Sequence, residues 1–310
     1  MVYESLRIEN YTIMKLRNIL LLASLALLTG CEAPYVGEPA TEEEENANLV
    51  LHVTGVQMVP FEDGVSAPMK APATRAQEPI TDLCSRLTFV VYQGETKFRS
   101  IAQKRGDTGF GTVAFSLPQG TYTFAIIGYN SDGACTVTSL DKISFKDNRV
   151  TDTFLYCEDL EVTEAKTTHD VELTRVVAMF RLVLTDNEIP SDVRQLKFYY
   201  TGGSSTLSAL TSYGSVNSKQ TVKLDVSAGV KTYEVYTIPH DETGNLKMTV
   251  TALDANDNTI KEHVFEALPV RRNAITVYTG NFFDGSSESG DIGFGMTAES
   301  EWEEGTNATF

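Results

Sequence analysis

The chain has 310 residues, 42% of them hydrophobic, with a formal net charge of −17 at pH 7 and four cysteines. That length holds two domains of ordinary size, each with its own core, and the absence of a basic stripe with interleaved aromatics excludes a nucleic-acid footprint. Residues 32–48 carry six acids and no base, residues 284–310 seven acids and no base, so the two ends hold 13 of the 17 net charges and the body between is only mildly acidic.

In chain order, residues 14–31 (MKLRNILLLASLALLTGC) come first and read as an export signal. Lys15 and Arg17 form a positive n-region, 19–28 an apolar h-region of ten residues, and Leu28, Thr29, Gly30 and Cys31 a small-residue cleavage site ending in cysteine. A spanning helix needs about 20 apolar residues, so the segment is a signal and not an anchor helix. Its last residues resemble the lipobox of bacterial lipoproteins. That resemblance implies lipidation of Cys31, a signal peptide over 1–30 and an outer-membrane, surface-exposed location; the alternative is an ordinary secretory signal with an incidental cysteine. Residues 1–13 place Glu4 and Glu9 ahead of a signal that already begins at a methionine, so Met14 is the expected start. One acyl chain anchors marginally, whereas the three expected on such a lipoprotein anchor permanently.

Residues 31–48 lack hydrophobic periodicity, contain Pro34, Gly37 and Pro39, and read as a solvated acidic tether. The acidic run after Cys31 also resembles surface-export signals of some Bacteroidetes lipoproteins; a self-repelling spacer is the equal alternative. With Cys31 assigned to lipid, Cys84, Cys135 and Cys157 remain, an odd number with no CxxC or CxH spacing, so no zinc site is expected. Either Cys135 pairs with Cys157 or the thiols are buried and free.

Beyond the tether, short alternating or apolar runs separated by Gly, Asn, Asp and Pro predict an all-β chain. Strands are expected over 49–56, 86–93, 111–117, 120–129, 139–145 and 153–155, then over 170–184, 195–200, 220–226, 231–238, 246–253, 259–265 and 274–282. The acidic stretch 158–166 separates the two sets, which predicts tandem β-sandwiches over 49–160 and 161–310. The connection 57–82 is too long for an ordinary loop and carries Pro60, Gly64, Pro68, Pro72 and Pro79. Within it, Arg75 followed by Ala76 is a site a trypsin-like protease could reach. Near the C-terminus, the Gly/Ser-rich 285–290 leads into Ile292, Phe294 and Met296, which alternate with small residues. Such a strand has one apolar face and one blank face, fitted to a groove in this molecule or another.

No catalytic constellation emerges: His52, His169, His240 and His263 stand apart, with no HExxH, GxSxG or Cys/His pairing. No cofactor or metal is expected. The run 254–258 (DANDN) superficially matches a calcium loop, yet position 12 of that loop would be Phe265 and not a bidentate Glu; a hairpin turn is the better reading. Tyr199, Tyr200 and Tyr213 could stack on a sugar, which keeps a glycan-binding lipoprotein as an alternative, although strand aromatics are more often core residues.

Several motifs together resemble the fimbrillins of Bacteroidetes, the type V pilins, and among them the FimB-like anchoring subunits. Leu117, Pro118, Gly120, Tyr122 and Phe124, followed by Gly128 and Tyr129, look like that family's LPxGxYxF hairpin. Residues 168–184 look like the long strand opening the second domain, and Arg272, Asn273 and Thr276, with Gly280 and Asn281, like its RNxxT strand. The region of Trp302 is also similar. The resemblance implies two transthyretin-like sandwiches and a non-enzymatic fimbrial subunit whose partners are other fimbrial subunits. It further implies 49–56 as a removable first strand, Arg75 and Ala76 as a processing site, and Ile292, Phe294 and Met296 as a donor strand. An anchor keeps its lipid on Cys31; a shaft or tip subunit is cut at Arg75. Both roles stay open at this point.

Overall fold

The structure is a computed structural model that describes residues 46–56 and 79–283. The chain is all-β, its sheets packed as sandwiches. The first strands are β1 (Leu49–Val56), β2 (Arg86–Gln93), β3 (Thr96–Lys104), β4 (Thr112–Phe115) and β5 (Gly120–Tyr129), with one short helix, α1 (Ile80–Leu83), ahead of β2. The hairpin β6 (Thr136–Ser139) and β7 (Lys142–Ser144) follows, then β8 (Thr153–Val162) and β9 (Thr167–Arg175). The remaining strands are β10 (Ala178–Leu184), β11 (Gln195–Gly203), β12 (Thr206–Leu207), β13 (Ser218–Asp225), β14 (Thr232–Thr237), β15 (Thr243–Leu253), β16 (Thr259–Arg271) and β17 (Ile275–Gly280).

Seven strands form one sheet in the order β3-β2-β5-β8-β9-β1-β4. It folds over on itself and encloses a core of Leu49, Leu51, Phe89, Phe115, Phe124, Phe154 and Leu173. A second sandwich stacks the sheet β14-β10-β17 on the sheet β13-β11-β15-β16, around Phe180, Phe198, Tyr200, Met248 and Phe282. A third core lies between the two and takes residues from both: Val90, Ala125 and Ile127 from the first sheet, Met179, Ile275 and Val277 from the second sandwich, and Ile143 and Leu207 from the small sheet β12-β7-β6. Strand alternation explains this sharing. On β10, Ala178, Phe180, Leu182 and Leu184 face one core while Met179 faces the other.

A buried ion pair sits where the chain leaves the first sheet. Arg175 Nε lies 2.7 Å from Asp152 Oδ1 and Nη2 3.0 Å from Oδ2, its Nη1 donates to Asn273 Oδ1 at 3.3 Å, and the guanidinium stacks 4.8 Å from the centroid of Phe154.

Four expectations are corrected. The single strand over 170–184 is two, β9 and β10, broken at Val176 and Val177, because β9 pairs with β1 and β8 while β10 pairs with β14 and β17. The run 139–145 is a hairpin between β6 and β7, turning at Leu140 and Asp141. The strand expected over 153–155 runs on to Val162, because β8 pairs with β5 along its whole length, acidic residues included. Finally, β3 was not expected: it is an edge strand, charged and half-exposed, with no apolar alternation to mark it.

Candidate functional site

The expected first strand is present as β1, and its surroundings form the candidate site. Its residues alternate in burial: Leu49 and Leu51 are fully buried, as are Val53 and Val56, while His52 lies on the exposed face. β1 runs parallel to β9, from Leu49 opposite Thr167 to Val56 opposite Leu173, with an irregularity between Val53 and Gly55. On its other side it runs antiparallel to β4, with Leu49 opposite Phe115 and Leu51 opposite Val113. The strand therefore fills a groove between two elements distant in sequence.

Both ends of β1 are clamped. At the start, the Asn48 side chain donates to the carbonyls of Leu117 (2.8 Å) and Thr163 (2.9 Å) and accepts from the Leu117 amide (3.0 Å). Asn48 thus joins β1 to the LPxG hairpin and to the β8–β9 turn. Sequence reasoning missed it; an Asn immediately before an alternating run was the only available signal. At the far end, the Val53 amide donates to Gly111 O at 2.8 Å and Thr54 Oγ1 to Val171 O at 3.2 Å. Gly111 has φ +93°, a left-handed conformation that a side chain would strain.

The hairpin motif builds the wall opposite the groove. Tyr122 and Phe124 are buried, and the Tyr122 hydroxyl donates to Pro118 O at 3.1 Å, which fixes the turn ahead of β5. Gly128 is required for space: a Cβ there would lie 2.9 Å from Cys84 Sγ and 3.0 Å from Leu173 Cδ1.

The RNxxT strand is β17, parallel to β10. Asn273 takes the left-handed turn before it (φ 56°), donates its amide to Val177 O at 2.8 Å and receives Arg175, so this turn is tied to the junction of the two sandwiches. After β17, fully buried Asp186 accepts the amides of Phe282 (2.7 Å) and Phe283 (2.5 Å). Lys261 Nζ caps the Phe283 carbonyl at 3.1 Å. The chain therefore leaves for the C-terminal linker from a fixed point.

Cys31, Arg75, Ala76, Ile292, Phe294 and Met296 lie outside the described residues. The three remaining cysteines are free thiols, so the Cys135–Cys157 bridge is not made. Cys135 sits 3.4 Å from Thr88 Oγ1, whereas Cys157 lies opposite Ala125 on β8. Burial raises the Cys157 thiol to about 11, with help from Asp159 and Glu158, so it is not a nucleophile at neutral pH.

The residues 254–258 form the expected hairpin turn. Asp254 accepts from the amides of Asn256 and Asn258 (both 2.8 Å) and from Asn258 Nδ2, bonds that hold its carboxyl below the usual carboxylate range. Among the described residues, no three His, Cys, Asp or Glu side chains gather as metal ligands. His52 pairs with Asp170 at 3.1 Å, His240 with Gly214 O at 2.9 Å, and His263 stacks edge-on to Phe282. The tyrosines do not make one platform. Tyr200 is buried and bonded to Tyr236 O, its neighbour Tyr199 faces the other side of the sheet, and Tyr213 lies under Arg272 and donates to Glu242. No described helix is long and apolar enough to cross a membrane.

The sequence profile of the Family of unknown function (DUF6562) matches residues 54–310, most of the chain and all of both sandwiches after β1. The chain belongs to this family. The DUF6562 match begins within β1, so it includes the strands that form the groove. No curated protein matches the sequence. Solved structures similar to this DUF6562 chain include a "putative adhesin" from Bacteroides ovatus, at 15% identity and TM-score 0.42, covering 76% of this chain and 88% of that one. A "putative cell adhesion protein" from Bacteroides ovatus has 12% identity and TM-score 0.45, over 83% and 97%. A fimbrial assembly protein from Parabacteroides distasonis has 12% identity and TM-score 0.38, over 80% and 93%.

Proposed function

We propose that this chain is a non-enzymatic subunit of a surface fimbrium, most simply the outer-membrane lipoprotein that anchors the fibre through lipid on Cys31. It joins other subunits by exchange of a strand at the β1 groove. The observation that carries this reading is β1 itself: an N-terminal strand with four buried side chains, bonded on both sides to strands far along the chain. Those four side chains contribute about 6–12 kcal/mol of burial in total, at about 1.5–3 kcal/mol each. A strand of the same alternation from another subunit would recover that burial, while main-chain hydrogen bonds supply affinity irrespective of sequence. Ile292, Phe294 and Met296 have the required alternation. The LPxGxYxF and RNxxT motifs, resembling those of fimbrillins, support the same assignment.

N-terminal analysis of the surface form decides between the two fates of the chain. An acylated Cys31 that takes up radiolabelled palmitate, with no uptake by Cys31→Ala, is the expected result for the anchor. A free N-terminus at Ala76 would make the chain a processed shaft or tip subunit instead.

A further inference from the structure

The β1 groove is not uniform along its length. From Leu49 to His52 the strand is held on both sides, by β4 and by β9, and the Val53 amide still reaches Gly111 O at 2.8 Å. There the β4 side ends: Gly111 turns left-handed, and a Cβ on it would lie 3.5 Å from both Ile80 Cγ2 and Val53 O. Beyond that point, among the described residues, only β9 pairs with β1, and one extra residue, Thr54, enters β1 opposite the step from Val171 to Glu172. The bulge re-aims the end of the strand. Without it Gly55 would stand opposite Leu173; with it Val56 does, fully buried. The four large buried side chains, Leu49, Leu51, Val53 and Val56, are therefore spaced by two, two and three residues.

The fourth site has walls of its own. Leu173 and Cys84 converge over Gly128, and Ile80 of α1 is buried in the same core as Val56. α1 is fastened to the body of the domain. Asn130 Nδ2 donates to Leu83 O at 2.7 Å, Asn130 Oδ1 accepts the Ser85 amide at 2.9 Å, and Arg105 Nε donates to Cys84 O at 3.0 Å. Since α1 follows Arg75 in the chain, it stays with the groove whichever strand lies there.

The C-terminal segment of this chain does not match the fourth site. With Ile292, Phe294 and Met296 in the places of Leu49, Leu51 and Val53, a bulged strand brings Glu299 to the place of Val56 and a straight one brings Ala298. Run in the opposite direction, the same three residues bring Ser289 or Gly290 there. In no register, straight or bulged, does 284–310 present four large apolar residues. An unpaired carboxylate is costly to bury, and a small residue leaves a cavity. We propose that the β1 groove selects a strand from a different polypeptide, one that brings a fourth large apolar residue into the Val56 site, with Ile80 as the wall that sets this requirement. Strand exchange at β1 is the premise; what is added is that copies of this chain do not fill one another's grooves with their C-terminal segments. Main-chain pairing along Leu49–His52 supplies affinity for any strand, and the fourth side chain supplies the discrimination.

The test uses the full chain with a specific protease site placed in the connection 57–78 and cut there, so that both pieces are present and β1 can be displaced. Four nine-residue peptides compete for the groove: 48–56, 48–56 with Val56→Ala, 291–299, and 291–299 with Glu299→Val. Mass spectrometry of the released β1 fragment reads the concentration each one needs. Peptide 48–56 is expected to displace β1, and its Val56→Ala form to need at least about tenfold more, equivalent to about 1.4 kcal/mol. Peptide 291–299 should likewise need at least about tenfold more than its Glu299→Val form. Ile80→Ala in the chain should narrow both ratios by at least about threefold, as expected of residues in contact. Ile80→Val should narrow them in the same direction if the alanine variant does not fold, and Leu210→Ala, at a residue 58% exposed, should leave them unchanged. Equal displacement by 291–299 and its Glu299→Val form would overturn the selection and admit a second copy of this chain as the partner, while ratios that no Ile80 variant moves would remove Ile80 as its wall. Failure of all four peptides, 48–56 included, would instead refute strand exchange at β1, and the selection with it.

Discussion

Replacing Leu51 by alanine tests whether β1 is a detachable strand held by burial. Leu51 is fully buried in the first core, opposite Val113 on β4 and His169 on β9. Truncating a buried leucine costs about 2–5 kcal/mol, the transfer term plus the residual cavity. Once the chain is cut at Arg75, β1 is no longer joined to β2 through the backbone. The cost then falls on retention of the fragment, whose dissociation constant should rise by about 30-fold to about 4,000-fold at 1.4 kcal/mol per decade. In the uncut chain the same substitution lowers unfolding stability by the same amount and releases nothing. Size-exclusion chromatography of cut wild-type and Leu51→Ala protein, with mass spectrometry of the released fragment, reads the difference. His52→Ala is the control: its side chain lies on the exposed face with Asp170, and its loss should change retention by no more than about 0.5 kcal/mol. Equal release of the fragment from wild type and Leu51→Ala would refute the argument that burial of alternate side chains holds the strand.

Breaking the Arg175–Asp152 pair by Arg175→Met should cost about 3–5 kcal/mol near neutral pH, because it strands a buried carboxylate. Burial already holds the Asp152 carboxyl above its usual range, and Arg175 opposes that rise. A carboxyl raised in the folded state stabilises it fully below the unfolded pKa of about 3.9 and loses that contribution as pH climbs through the folded value. Urea unfolding should therefore show the variant losing more stability than wild type between about pH 4 and about pH 7, with Arg175→Met/Asp152→Leu recovering most of it; an equal deficit at both pH values would contradict this. Deleting 291–310 should abolish joining to other subunits while leaving the described fold intact, since Phe282 and Phe283 remain on Asp186. Unchanged polymer ladders would remove the C-terminal segment from the assembly step.

How much was legible in the sequence depended on where each strand sits. Residues 49–56, 86–93 and 120–129 are strands with the expected bounds, because each is a short apolar run bracketed by turn residues: 49–56 alternates in burial, whereas 86–93 and most of 120–129 are buried on both faces. The edge strand β3 escaped because neither face is deeply buried; Gly94, with φ 59° in the tight turn before it, was the signal available. The break at Val176 and Val177 escaped because two adjacent valines inside an apolar run look like uninterrupted strand. Only the burial of Arg175 against Asp152 shows why the chain turns there. For the site, alternation marked 49–56 as a strand, while its place in a groove came only from the resemblance to fimbrillins. Asn48 and Asp186 stayed hidden, since what they do depends on partners 69 and 96 residues away.

The way β17, the last strand among the described residues, is fastened governs how the molecule answers a pull. Tension on the chain beyond Phe283 reaches the Asp186 clamp first and then β17, which lies parallel to β10 over six register pairs from Met179–Ile275 to Leu184–Gly280. Force along the strand axis loads those pairs in shear, so they must yield together and cannot be unzipped one by one. With a shared core behind β10, the stress spreads into both sandwiches.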